Sequence, residues 1–236
     1  MPLVENGLVI GHSQLDQDLY ELEFIAPKIA NECMPGQFVH ILPGNTLDPL
    51  LRRPISLYDV DKKLGSITLL YKVVGKGTNL LTNIKPKEYV NVMGPLGRGF
   101  TLISNQNAVL VGGGVGIAPL IYLARRLKEN NCNVTVIHGT ERKSQLVAFN
   151  KLLEIGVEYL PATMDGTAGY KGLATDLLSK KLDTKEIDFL YTCGPEPMMA
   201  IVADYGREKG IMTEVSLEEH MACGVGACLG CARKFG

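Results

Sequence analysis

The segment of residues 108–129 constrains the fold most, because a short apolar run there meets a glycine-rich turn and then a stretch with helical periodicity. A buried strand that passes through glycines into a helix is typical of α/β domains with a parallel sheet. Glycines let the backbone turn sharply and approach a phosphate, and the helix N-terminus supplies N–H donors. The segment therefore favours a nucleotide site over an ordinary tight turn, although its spacing differs from the GxGxxG pattern.

The first hundred residues follow a different pattern. Tyr20, Leu22 and Phe24 alternate with glutamates, which is the period of a half-buried strand. Further β-rich runs lie at residues 38–42 and 67–74, and Gly or Pro interrupts the chain at close intervals. Many short strands with such turns predict an antiparallel barrel or sandwich.

From about residue 105 onward, apolar runs alternate with helical segments, and this alternation predicts a parallel sheet with helices. The fold class is therefore α/β plus all-β. We place the all-β domain at residues 1–100, the α/β domain at residues 101–214 and a cysteine arm at residues 215–236.

The composition bounds the partners and the compartment. The chain carries 24 Lys and Arg against 25 Asp and Glu, so no electrostatic argument favours a nucleic acid or an anionic membrane. No signal-peptide pattern opens the chain, and glycines and Pro119 interrupt its longest uncharged stretch, so we expect no membrane span. Cys33, Cys132 and Cys193 lie far apart, which favours a reducing compartment, and we expect a cytoplasmic protein.

The cysteine arm contains Cys223, Cys228 and Cys231 in the spacing C-x4-C-x2-C, which is that of a plant-type [2Fe–2S] site. Such a site needs a fourth, more distant cysteine, and we expect that the chain is a truncated form in which this ligand is missing after Gly236. A zinc site would more usually pair two C-x2-C units. Three buried thiols are a poor alternative among small Gly and Ala residues, and His220 is a weak outside candidate for the fourth ligand.

Three further segments have a chemical and a structural interpretation. Arg53, in the segment 53–56 that we interpret as lying between strands, can clamp a pyrophosphate. A basic pair before a proline, here Arg52 and Arg53, is nevertheless more often part of a solvated loop. Gly77 and Thr78 offer phosphate donors, or they are simply a strand end followed by Thr78 as a helix N-cap. Cys193 and Gly194 follow a strand at the sheet edge where α/β domains bind ligands, although a lone cysteine is more often buried.

Taken in this order, the segments resemble the ferredoxin–NADP reductase superfamily, and the cysteine arm narrows the resemblance to electron-transfer subunits of type B dihydroorotate dehydrogenases. The resemblance covers essentially the whole chain and departs from it in the missing fourth cysteine. It implies an antiparallel FAD-binding β-barrel, an NAD-binding α/β domain and a [2Fe–2S] cluster in the arm. It also implies a heterotetramer with an FMN-containing catalytic subunit that oxidises dihydroorotate in pyrimidine biosynthesis.

The resemblance also implies roles for individual residues. Arg53 neutralises FAD phosphate charge, Ser56 touches the isoalloxazine near N5, and Cys193 with Gly194 lets nicotinamide reach the flavin. The implied FAD-binding residues are Arg53, Pro54, Ile55, Ser56, Leu70, Tyr71, Lys72, Gly77 and Thr78. The implied NAD-binding residues are Gly113, Gly114, Gly116, Cys193 and Gly194. The implied cluster ligands are Cys223, Cys228 and Cys231, and no residue is assigned a role as general base.

Two other functions stay open at this point. One is a stand-alone NAD(P)H-dependent flavin reductase that serves a ferredoxin or an oxygenase. The other is a non-catalytic nucleotide-binding scaffold, which would need neither the Arg53 segment nor the Cys193 loop. The choice between NAD and NADP is also open, because Glu141 and Arg142 after the second α/β strand argue in opposite directions.

Overall fold

The alternating pattern of the first hundred residues forms a closed antiparallel barrel with the strand order β1-β2-β5-β4-β3-β6. Its strands are β1 (Leu3–Asp16), β2 (Leu19–Ile25), β3 (Phe38–Ile41), β4 (Arg53–Asp61), β5 (Ser66–Lys72) and β6 (Tyr89–Leu96). Leu22, Phe24 and Leu69 are fully buried in its core, because every second side chain of a strand points inward. The short helices α1 (Pro27–Glu32) and α2 (Lys76–Leu81) connect strands of this barrel.

The second half of the chain forms a six-stranded parallel sheet with the order β10-β9-β8-β7-β11-β12. Its strands are β7 (Asn107–Gly113), β8 (Asn133–Thr140), β9 (Glu158–Thr163), β10 (Tyr170–Lys171), β11 (Phe189–Cys193) and β12 (Met212–Ser216). The intervening helices are α3 (Ala118–Glu129), α4 (Phe149–Ile155), α5 (Ala174–Leu182) and α6 (Glu196–Lys209). The predicted fold class, an antiparallel barrel followed by a parallel-sheet α/β domain, is confirmed.

This structure is a computed structural model, and it describes residues 2–44, 48–182 and 186–233. The chain divides into two units, of which one joins Met1–Gly99 to Glu218–Gly236 and the other is Phe100–Leu217. The part of the cysteine arm that carries its three cysteines, from Glu218 onward, therefore belongs to the same unit as the barrel, whereas residues 215–217 belong to the other unit. In the described ranges, no helix has the length and apolar character needed to span a membrane.

One element differs in detail from the sequence expectations, and two helix boundaries have distinct local structure. Residues 53–56 do not lie between strands but open β4, where Pro54 occupies the second position and a proline is tolerated near a strand start. After β8, a single 3-10 turn at Lys143–Gln145 comes first, and α4 begins at Phe149. Helix α6 ends at Lys209 and is capped by Gly210, which adopts the left-handed conformation with a φ of 70° that glycine accommodates readily.

Candidate functional site

The glycine-rich turn after β7 is in backbone contact with the loop after β11. β7 and β11 are neighbours in register, with Gly112 opposite Cys193. A Cβ atom at Gly116 would lie 2.6 Å from the Cys193 carbonyl oxygen and 2.6 Å from the Gly194 Cα atom. Only a glycine permits this approach, so the fold brings together the two segments that the sequence proposes for NAD.

The same contact constrains the other glycines of the turn. Gly194 has a φ of 147°, and a Cβ atom there would lie 2.8 Å from the Gly113 nitrogen. A Cβ atom at Gly113 would in turn lie 2.9 Å from the Met198 Sδ atom. By contrast, a Cβ atom at Gly114, which has a φ of 54°, would meet no heavy atom of the described chain within 4 Å. The turn is thus packed on one side and open at Gly114, as a backbone cradle for a ligand requires.

Cys193 contributes its backbone to this cradle rather than an exposed thiol. The residue is 1% exposed and ends β11, where the neighbouring Thr192 hydroxyl donates a 3.0 Å hydrogen bond to the Val111 carbonyl. The side chain therefore packs in the interior, as the structural interpretation of a lone cysteine expects. A role for Cys193 and Gly194 beside the nicotinamide stays a prediction.

A buried histidine that no sequence pattern indicates is hydrogen-bonded to the glycine turn. The Nε2–H of His138 donates a 3.0 Å hydrogen bond to the Gly114 carbonyl, and the Tyr159 hydroxyl donates a 3.2 Å bond to Nδ1. This pattern requires the neutral ring. Burial accordingly lowers the pKa of His138 from 6.5 to about 4. Its position on β8, beside β7, explains why only the fold could reveal the contact.

The loop after β8 is hydrogen-bonded to the glycine-containing loop of residues 165–169. The Lys143 amide donates a 2.9 Å bond to the Thr167 hydroxyl, and that hydroxyl donates to an Asp165 carboxylate oxygen at 2.7 Å. These Thr167 hydrogen bonds lower the pKa of Asp165. Glu141 and Arg142 are both exposed beside this loop. Their exposure favours neither NAD nor NADP.

In the barrel unit, the Arg53 guanidinium lies directly against the backbone of Gly77, since a Cβ atom there would overlap it. Arg53 donates a 2.8 Å hydrogen bond to the Leu51 carbonyl, which orients the guanidinium. The Thr78 hydroxyl is engaged locally, because it accepts from the Val74 amide at 3.0 Å. The expectation of Thr78 as the N-cap residue is wrong, because Gly75 is the N-cap and Thr78, at the third helical position, accepts from the Gly75 amide at 3.2 Å. The backbone of Thr78 is what it can offer to a phosphate.

The remaining flavin candidates do not share one surface. Ile55 is buried in the barrel, whereas Pro54 is exposed and Ser56 is half-buried, so alternate residues of β4 face outward. On β5, the Tyr71 hydroxyl donates a 3.0 Å bond to Nε2 of His12 and is nearly wholly buried. Leu70 and Lys72 point to the opposite face of that strand from Tyr71. Leu70 is also buried, and Lys72 forms a 3.1 Å ion pair with Asp18.

The cysteine arm has donor chemistry that fits an iron–sulfur cluster. The Cys228 amide donates a 3.4 Å hydrogen bond to the Cys223 sulfur. This bond, aided by the Val225 amide, lowers the pKa of the Cys223 thiol to about 6, and thiolates are the ligands of such clusters. Cys231 is half-buried. In the described ranges, however, no three His, Cys, Asp or Glu side chains are close enough to form a metal site.

Comparison with known proteins decides the family. A family model described as the oxidoreductase NAD-binding domain matches residues 110–204. The dihydroorotate dehydrogenase B (NAD(+)) electron transfer subunit of Desulforamulus reducens is 43% identical over 236 residues, which cover 100% of this chain and 90% of that protein. The chain belongs to the family of dihydroorotate dehydrogenase B electron transfer subunits. It is an oxidoreductase subunit, and the resemblance drawn from its motifs is confirmed.

A second relative has the same family name, and solved structures share the fold. The dihydroorotate dehydrogenase B electron transfer subunit of Bacillus cereus strain B4264 is 41% identical over 96% of this chain and 87% of that protein. A solved NADH-dependent reduced ferredoxin-NADP oxidoreductase matches with a TM-score of 0.86 and 32% identity, over 96% of this chain and 81% of that one. A ferredoxin NADP+ reductase from Neisseria gonorrhoeae, with a TM-score of 0.72 and 16% identity, shares the fold over 91% of this chain and 99% of its own.

Proposed function

We propose that this subunit carries electrons from the FMN of a dihydroorotate dehydrogenase catalytic subunit, through a [2Fe–2S] cluster and an FAD, to NAD+. The relatives from Desulforamulus reducens and Bacillus cereus are named electron transfer subunits of dihydroorotate dehydrogenase B (NAD(+)), a name that implies a catalytic partner. A heterotetramer, a cytoplasmic location and a place in pyrimidine biosynthesis belong to the proposal. No nucleic acid or membrane takes part in it.

The observation that carries the proposal is the membership of the cysteine arm in the barrel unit. An iron–sulfur cluster passes one electron at a time, NAD+ accepts a hydride, and a flavin exchanges electrons in both ways. A cluster on the same unit as the flavin strand therefore has an electron acceptor within its own folded body. In this proposal Cys223, Cys228 and Cys231 supply cluster ligands, and a fourth ligand completes the set.

On the barrel, Arg53 and the backbone at Gly77 and Thr78 bind the FAD diphosphate. The guanidinium lies against Gly77, which supports a shared contact of both groups with one phosphate. Outward-facing Pro54 and Ser56 border the isoalloxazine, while Ile55 supports the strand from inside. Leu70 and Lys72 take the lining role on β5. Tyr71 contributes through its backbone, because His12 engages its hydroxyl.

In the α/β unit, the backbone of Gly113, Gly114 and Gly116 approaches the nucleotide phosphates. The glycine contacts support this role, because side chains at Gly113 and Gly116 would fill the space that the turn needs. Cys193 and Gly194 border the nicotinamide with their backbone. No side chain of this subunit acts as general base, since the oxidation of dihydroorotate belongs to the partner.

The test is an anaerobic reconstitution of the complete gene product with and without the FMN-containing catalytic subunit. We expect flavin and iron–sulfur absorbance in the isolated subunit, and dihydroorotate-dependent NAD+ reduction only in the complex. NADH-driven dye reduction without any dihydroorotate activity in the complex would favour a stand-alone reductase. Failure to bind flavin after reconstitution would favour a scaffold.

A further inference from the structure

The strongest unexplained feature outside these sites is the imidazole of His40 on β3. Its side chain is 0% exposed, and neither ring nitrogen has a hydrogen-bond partner in the part of the chain that the structure describes. A buried polar group without a partner is destabilising and rare in native proteins. His40 therefore points to a partner atom that the described residues do not supply.

The ring faces the cysteine arm. A Cβ atom at Gly224, the residue after Cys223, would lie 2.6 Å from the His40 Cε1 atom and 3.0 Å from each ring nitrogen. Gly224 has a φ of 68°, so a side chain there would be strained as well as blocked. The arm thus lies against the imidazole at the turn that begins with its first cysteine.

The surroundings of His40 favour an anionic acceptor. The Arg52 guanidinium donates to the His40 carbonyl at 3.3 Å and to the Asn91 carbonyl at 3.2 Å, which fixes a positive charge beside this strand. The other ring nearby is that of Phe38, with centroids 5.6 Å apart, and it offers no strong acceptor. An N–H donor beside a fixed cation suits a thiolate or sulfide better than a neutral group.

His40 also lies beside the flavin strand. Its Cα atom is the register partner of Pro54 on β4, and Phe38 is the partner of Ser56. Val39 and Ile41 are fully buried in the barrel, so the alternation of β3 places His40 and Phe38 on the outer side together. The imidazole is therefore next to both the proposed flavin segment and the cysteine arm.

We propose that His40 is a positioning residue whose ring N–H donates a hydrogen bond to a sulfur atom of the cluster that the arm holds. The inference rests on the proposed function, because it requires the [2Fe–2S] cluster. Hydrogen bonds to cluster sulfurs stabilise the reduced, more negative form and so raise the reduction potential. His40 would thus help the cluster to accept an electron.

The test is an EPR-monitored redox titration of the cluster in the complete, FAD-loaded gene product. His40→Leu removes the donor, His40→Gln retains an N–H donor, and Phe38→Leu is a control on the same outer side of β3. We expect His40→Leu to lower the equilibrium constant for cluster reduction about tenfold, which is roughly 59 mV for a one-electron couple. His40→Gln should lie between wild type and His40→Leu, and Phe38→Leu should match wild type.

Three results would overturn the inference. An unchanged potential in His40→Leu with full iron content would mean that no such hydrogen bond forms. A changed set of g-values with loss of iron in both His40 variants would mean that His40 ligates iron instead. A wild-type protein that binds FAD but no iron would refute the proposed cluster itself, so this failure is distinct from the first two.

A measurement on the wild-type protein covers the case in which the variants do not fold. With ¹⁵N-labelled histidine, pulsed EPR of the reduced cluster should detect one weakly coupled ring nitrogen, as expected across a hydrogen bond. Absence of any histidine coupling would contradict the proposal, and a strong coupling would identify a direct iron ligand.

Discussion

The glycine turn of the α/β unit and the cysteine arm of the barrel unit differ in how far the polypeptide alone builds the proposed site. Contacts within the chain order the turn, because Gly116 packs on Gly194 and His138 donates a hydrogen bond to the Gly114 carbonyl. In the arm, Cys223 is prepared for the thiolate form, yet in the described ranges no three ligand side chains form a metal site. Backbone packing thus builds the first proposed site, whereas the described residues alone do not assemble the second.

This difference determines which signs reveal each site. A site built from backbone groups is recognised by glycines that no other residue can replace. The proposed cluster site is recognised instead by the three thiols of the arm and by a buried donor, His40, that has no partner among the described residues. Metal binding supplies the free energy that orders such a site, so its final geometry is absent from the polypeptide alone.

The largest expected effect is on the arm. Cys223→Ala should abolish stoichiometric iron and labile sulfide, because the cluster loses a thiolate ligand, while FAD binding to the barrel should persist. The control is Cys33→Ala, since Cys33 is buried in the barrel unit and burial raises the pKa of its thiol to about 12. Chemical iron and sulfide analysis gives the readout. Full iron content in Cys223→Ala would show that the arm is not the cluster site.

The next effect concerns the support of the glycine turn. The pKa of His138 is about 4 in the folded state and 6.5 without its environment, so the unfolded chain binds more protons between these values. The free energy of unfolding should therefore fall as the pH drops from 6.5 to 4, by on the order of 3 kcal/mol. Hydrogen exchange of β7 and β8 amides measures this. His138→Gln should flatten the pH dependence, and an equally steep profile would exclude His138 as its cause.

A smaller effect is expected where a charged side chain supplies the binding. Arg53→Leu should weaken FAD affinity about 10–100-fold, because a charge-assisted hydrogen bond to the diphosphate contributes about 1.5–3 kcal/mol. Arg98→Leu removes an exposed positive charge of the same unit and should leave the affinity unchanged. Quenching of FAD fluorescence reports both. Equal affinities in wild type and Arg53→Leu would remove Arg53 from the flavin site.

The smallest effect is expected for a single methyl group in the turn. Gly116→Ala should raise the KM for NADH about tenfold, since overpacking against the Cys193 and Gly194 backbone costs about 1–3 kcal/mol. Gly44→Ala is the matched control, because a Cβ atom at Gly44 would meet no described heavy atom within 4 Å. Dye reduction by NADH gives the KM. An unchanged KM in Gly116→Ala would mean that the cradle tolerates a side chain.

The sequence predicts those parts of the fold that local periodicity determines. The strand at Tyr20–Phe24 and the passage from β7 into α3 follow from side-chain alternation and glycine placement, and both are present. β1 has no such signal, because its register shifts at Val9/Gly11 and at Gln14/Asp16 break the alternation. Pro54 disguises the start of β4 for a similar reason, since proline is unfavourable within most strands.

The site was predictable only where a motif carries it. Glycine turns and cysteine spacing are visible in one dimension, so the sequence indicates Gly113–Gly116 and the three arm cysteines. His138 and His40 become meaningful only when neighbouring strands bring Gly114 and Gly224 against them. A single histidine in an apolar run has no pattern of its own, and its role follows from tertiary contact.

The most direct test of electron transfer through this subunit is to add NADH anaerobically to the complete, cofactor-loaded protein and record flavin absorbance and EPR together. We expect bleaching of the FAD followed by the EPR signal of a reduced [2Fe–2S] cluster, because the flavin passes single electrons on to the arm. Bleaching of the FAD while an intact cluster stays oxidised would contradict the proposed path.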